Sequence, residues 1–100
     1  MKLHSMKLVT SVCESVLEER VVEVLRECGA HGHTAFDVRG SGCQGTRNAD
    51  LVESGNVQIQ VIAKPTVADA LLQRLYTDFF HDYAMVAYQS EVSVMRPDKF

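Results

Sequence analysis

Between Gly40 and Arg47 the chain reads GSGCQGTR, the segment whose residue types are best suited to chemistry. Glycines at 40, 42 and 45 leave the backbone free to turn several N–H groups toward one point, a concave nest for an anion. Arg47 adds a permanent, planar guanidinium whose paired donors match a phosphate or a carboxylate. The run is neither a Walker motif nor a dinucleotide fingerprint, since no helix pattern follows it. A flexible glycine loop with a solvated Arg47 is the plain alternative.

Other chemistry-bearing residues are scattered. His31 and His33 stand two apart and suit one side of a strand, but no third ligand at a zinc-like spacing accompanies them. Cys13, Cys28 and Cys43 form no close pair, and an odd count does not suggest a disulfide framework. They read as free thiols of a reducing compartment, with Cys43 a candidate for redox sensitivity. The acids show no paired-carboxylate pattern for acid–base work. Tyr76, Phe79, Phe80 and Tyr83 read as packing rather than as a stacking platform.

The bulk composition narrows the classes. One hundred residues make one domain, expected to span residues 1–100. With 10 basic and 13 acidic side chains the net charge is −3, which argues against a nucleic-acid binder. No apolar run is long enough to span a bilayer, and Met1 to Lys7 lacks the apolar stretch of a signal peptide. The expected location is the cytoplasm.

The elements that must position these residues follow from periodicity. Met6–Cys13 alternates as a strand. In Glu14–Cys28 the apolar Leu17, Val21, Val24, Leu25 and Cys28 recur at helical spacing, and Gly29 stops the helix. His33–Arg39 is a second strand. Residues 40–55 carry four of the six glycines and almost nothing apolar, a loop long enough to suggest a function. Asn56–Ala63 is a third strand. A second helix follows Pro65, with Thr66 and Asp69 resembling a capping box and Val67, Leu71, Leu75 and Phe79 as its buried face. Tyr83–Met95 is a last strand, with an irregularity expected near Gln89–Glu91. The order β-α-β-β-α-β predicts an α+β, ferredoxin-like sandwich: one antiparallel sheet with both helices on one face. The sheet's other face keeps apolar side chains, best covered by copies of the same chain.

That order, the turn Gly29-Ala30-His31-Gly32-His33-Thr34, the loop Gly40-Ser41-Gly42 with Arg47, the strand Asn56-Val57-Gln58-Ile59 and the run from Phe80 to Val86 resemble PII signalling proteins. The resemblance spans Lys7 to about Met95 and is closest to the carbon-regulatory branch, the SbtB proteins and the carboxysome-associated carbon PII proteins. It implies a homotrimer with nucleotides in clefts between subunits and a flexible T-loop, here residues 40–55. By position, Thr34 would face base or ribose. Gly40, Ser41 and Gly42 would line the phosphates, with Arg47 in contact with them. Asn56 would close the base of the T-loop. Met85, Val86 and Ala87 would offer a backbone edge to adenine, and Arg96 is a looser phosphate candidate. Gln44 falls where nitrogen-sensing members place a magnesium-linked glutamine. It also replaces an SbtB arginine, which favours AMP or ADP over ATP; ATP and cyclic AMP stay as further candidate ligands. The loop has no tyrosine for uridylylation, and only His81-Asp82-Tyr83 joins the second helix to the last strand.

The implied function is non-enzymatic signalling. Nucleotide, with bicarbonate as co-ligand, orders the T-loop, and a bicarbonate transporter or another carbon-acquisition protein reads it, with recruitment to the membrane through that partner. No prosthetic group and no direct membrane insertion are expected. The alternative within the same fold class is a CutA-type trimeric protein that binds copper or zinc through His31, His33 or Cys43.

Overall fold

A computed structural model describes residues 1–40 and 55–100. Strand β1 spans His4–Glu14, and a short 3-10 turn, Ser15–Leu17, leads into helix α1, Glu18–Glu27. Strands β2 (Thr34–Val38) and β3 (Asn56–Ala63) follow. Helix α2, Pro65–Leu75, continues into a π-helical turn, Tyr76–Phe80, before strand β4, Val86–Val94. The sheet order is β2-β3-β1-β4 with every neighbouring pair antiparallel, so the expected ferredoxin-like sandwich is the observed fold.

The core forms where apolar periodicities meet. In β3, buried Val57, Ile59, Val61 and Ala63 alternate with half-buried partners, the period of two that a one-sided strand requires. Val9 pairs with Val61, and Cys13 with Val57, so these side chains share a face. Helix α1 lays Val21, Val24 and Leu25 on it, and α2 lays Ala68, Leu71 and Leu75. Phe79, from the π turn, is 1% exposed and completes this layer. Across the helix pair, Arg74 donates to Glu27 Oε1 and Asp78 Oδ2, each at 3.0 Å. These groups are partly exposed, so water screens the clamp and its contribution to stability is small.

Helix α1 stops as expected at Gly29. Its φ is +95°, Ala30 N–H reaches Leu25 O at 3.0 Å and Gly29 N–H reaches Arg26 O at 3.1 Å, the two bonds of a Schellman motif.

Four local expectations are corrected. Thr66 does not cap α2: the cap position is Lys64 and makes no side-chain cap bond. Pro65 is the reason, since its fixed φ and missing N–H suit the first helical position and place Thr66 already inside the helix. Ala68, rather than Val67, takes the fully buried position on α2. The last strand starts at Val86, not Tyr83, because Tyr83 N–H is spent on Phe79 O at 2.9 Å, closing the π turn. Finally, β4 has no irregularity near Gln89–Glu91; its register against β1 is unbroken from Val86↔Val12 to Val94↔His4.

On the face away from the helices, Phe36, Val86 and Tyr88 are between 41 and 54% exposed, and Leu8, Val12 and Ile62 are half-buried beside them.

Candidate functional site

Antiparallel register gathers several of the expected site residues at one end of the sheet. Val38 and Glu14 both pair with Asn56, and Val86 pairs with Val12 two residues before the end of β1. The segment between β2 and β3 therefore leaves and returns at the end where the connector from α2 enters β4. Gly55 makes the return possible: its φ of +75° disfavours any side chain, and its carbonyl accepts Ser15 N–H at 3.1 Å. This ties the base of the 40–55 segment to the end of β1. At Gly40 an added Cβ would meet nothing within 4 Å among the described residues.

The same topology divides these residues between the two sides of β1. Asn56 and Met85–Ala87 are separated by β1, two strand spacings or about 10 Å, and β2 with Gly40 lies one spacing further. Met85 turns its side chain into the core at 5% exposure, and Ala87 packs partly against it, so what this stretch offers a ligand is backbone and the exposed Val86. Thr34 is exposed at the other end of β2, in one row with Gln60, Thr10 and Tyr88. Arg96 follows the far end of β4, eight residue steps or about 27 Å along the strand from Val86. Within one chain the fold thus brings together Gly40 and Asn56, places Val86 across β1 in a row two residues from that of Asn56 and two from that of Thr34, and leaves Arg96 apart. Ser41, Gly42, Cys43, Gln44 and Arg47 lie outside the described residues.

Sequence reasoning did not join Arg20 to Tyr83. Arg20, on α1, donates from Nη1 to the Tyr83 hydroxyl at 3.0 Å. Its guanidinium lies 5.0 Å from the Phe79 ring centroid and 5.5 Å from that of Tyr83, within cation–π range of both. The two rings are 6.3 Å apart and inclined at 47°. Arg20 is one of two arginines, with Arg26, in a stretch otherwise rich in glutamate, Glu18 to Glu27, and that was the available signal. Its partner 63 residues away was not readable from spacing.

His31 and His33 are exposed, and among the described residues no three His, Cys, Asp or Glu side chains are placed to hold a metal. Burial pushes the Cys13 thiol up to about 11, helped by the carboxylates of Glu14 and Glu18. Cys28 is raised as well, chiefly by burial, with nearby Arg74 opposing. The unfolded chain releases the Cys13 proton near pH 9 and the folded chain near 11, so in this window the fold holds the extra proton. This contribution is intact below pH 9 and is lost as pH rises toward 11, amounting to about 2 kcal/mol at pH 10.5. Urea unfolding at pH 8 and 10.5 should show wild type losing about that much more stability than Cys13→Ala. Identical pH dependence in the two proteins would refute it.

Comparison with known proteins agrees with this architecture. Residues 6–99 match the family described as nitrogen regulatory protein P-II. A protein from Thermus thermophilus, its structure described as PII-like signaling, is 42% identical over 100% of this chain and 99% of its own, with a TM-score of 0.86. CPII from Thiomonas intermedia K12, solved with ADP, AMP and acetate, superposes with a TM-score of 0.85 at 21% identity, over 100% of this chain and 98% of its own. The same CPII, solved with ADP and bicarbonate, gives 0.85 at 24% identity over 99% and 97%. At those identities the likeness to CPII is one of fold. The family match, which covers all but the first five residues and the last, together with the 42% relative, shows that the chain belongs to the nitrogen regulatory protein P-II family.

Proposed function

We propose that this chain is a non-enzymatic PII-like signal transducer of the carbon-regulatory branch. Three copies assemble with their open sheet faces together, and AMP or ADP binds in the clefts between them, with bicarbonate as co-ligand. The 40–55 loop carries the resulting state to a carbon-uptake partner such as a bicarbonate transporter, so a cytoplasmic protein meets the membrane through that partner. The ligand acts by binding one loop state better than the other.

The observation that carries this reading is topological. Gly40, beyond the edge strand β2, and Asn56, on the neighbouring β3, stand on one side of β1, and Met85–Ala87 lies on the other side at the β4 edge, toward the same end. A cleft lined by both groups is most simply made by two copies side by side, one contributing the loop base with Arg47 and the other the backbone edge. Supporting it, CPII has been solved with ADP, AMP and bicarbonate. Membership of the P-II family favours this reading over a CutA-type metal binder.

Isothermal calorimetry with AMP, ADP, ATP and cyclic AMP, each with and without bicarbonate, tests the proposal. AMP or ADP is expected to bind most tightly. Arg47→Ala is expected to weaken binding about tenfold or more, the scale of one charge-assisted phosphate contact. Absence of binding for all four nucleotides would reject the reading.

A further inference from the structure

We propose that Arg20 is a positioning residue for nucleotide recognition: it clamps the connector that leads into Met85–Ala87, so that this backbone meets the purine already in its binding shape. The inference rests on the nucleotide reading above. It stands on the geometry between α1, the π turn and β4.

The connector from Phe80 to Val86 enters an edge strand, which has a hydrogen-bonded neighbour on one side only. Order at its start must therefore come from contacts outside the sheet. Phe79 supplies a fixed platform, being 1% exposed in the core. Its carbonyl accepts N–H bonds from both Asp82, at 3.1 Å, and Tyr83, at 2.9 Å. The Tyr83 ring leans on the Phe79 ring, and Arg20 covers both while donating to the Tyr83 hydroxyl. Met85 then anchors in the core at 5% exposure, and Val86 begins the ladder opposite Val12. Between Tyr83 and Val86, Ala84 alone has no full anchor of its own. Tyr83 sits two residues before the edge expected to read the base, so fixing its ring fixes the approach of that edge.

Arg20 suits this task in a way that lysine does not. A guanidinium lies flat across two rings and still directs an N–H at a hydroxyl, whereas an ammonium is a compact, strongly hydrated point. Arg20 is itself exposed, so removing it lets water replace its bond to Tyr83 and costs the fold little. The larger consequence is that a loosened connector must be ordered at the expense of ligand affinity.

The experiment compares the full chain as wild type, Arg20→Met, Arg20→Lys and Tyr83→Phe. AMP and GMP affinities come from calorimetry, and amide exchange of residues 83–87 is followed without ligand. Arg20→Met is expected to bind AMP about fivefold more weakly, with a reduced preference for AMP over GMP. Amides 84–86 should exchange faster while those of α2 do not change. Arg20→Lys should fail to restore the affinity, and Tyr83→Phe should fall between wild type and Arg20→Met. An AMP affinity within twofold of wild type in Arg20→Met overturns the inference while leaving the nucleotide reading standing. Equal weakening of AMP and GMP overturns it too, since a general charge effect on the phosphate would do that. A wild type that binds no adenine nucleotide removes both readings together.

Discussion

Phe79→Ala is expected to cost the fold about 3–5 kcal/mol, the usual range for deleting a buried phenyl ring. Phe79 is among the largest fully buried side chains, 1% exposed, and sits where α2 gives way to the π turn. It touches the core on one side and carries Tyr83 and Arg20 on the other. Domains of this size have a net stability of roughly 5–15 kcal/mol, so the loss takes a large share of it. The cavity has little means to collapse, because Phe79 is held by the backbone bonds that close the turn. Urea unfolding of wild type, Phe79→Leu and Phe79→Ala measures this. Phe79→Leu should keep much of the stability, since it retains most of the apolar volume. A loss below about 1 kcal/mol in Phe79→Ala would show that the ring is not a structural anchor.

Tyr88→Glu is expected to break the assembly and, with it, nucleotide binding. Tyr88 lies on β4, 54% exposed in the single chain, in the row formed with Thr10, Gln60 and Thr34. Phe36 and Val86 flank that row on the same face. In the proposed trimer this face is covered, and a carboxylate buried there without a partner costs several kcal/mol at each of three seams. In an isolated subunit the same carboxylate remains in water, so the fold itself is little affected. Light scattering after size exclusion should therefore report a single chain of 11.1 kDa with an unchanged circular dichroism spectrum. Affinity for AMP should fall by about a hundredfold or more, because each cleft needs two copies. A monomeric variant that still binds AMP like wild type would show that the site lies within one chain. A variant that remains trimeric would show that the open face is covered by something else.

Both results bear on how a signal leaves the molecule. The loop base at Gly55–Asn56 is tied to β1 through Ser15, and the opposite edge is held through Tyr83 and Met85. The frame around the proposed cleft is thus fixed on both sides. What the proposed ligand then selects is the arrangement of the segment between the anchors, which a partner can read.

Most of the fold was legible in the linear chain. The alternation of Val57, Ile59 and Val61 with Gln58, Gln60 and Ile62 could only be a one-sided strand, and it pairs and buries as such. Leu17, Val21, Val24 and Leu25 announced the buried side of α1, and Gly29 its end. Such features are local, because the period of apolar residues and the steric freedom of glycine act over a few neighbours. The anion site proposed for the glycine-rich segment with Arg47 also rests on residue types, but Ser41 to Arg47 lie outside the described residues.

Tertiary structure decided what depends on residues far apart in sequence. Pro65 displaced the Thr66 cap once the helix start was set, and the carbonyl of Phe79 took the Tyr83 N–H that a longer strand would have needed. The pairing of Arg20 with Tyr83, and the placement of Asn56 and Val86 toward one end but on opposite sides of β1, follow from strand order and helix docking. Those are set by which buried faces pack together, a collective property of the whole chain that no local window contains.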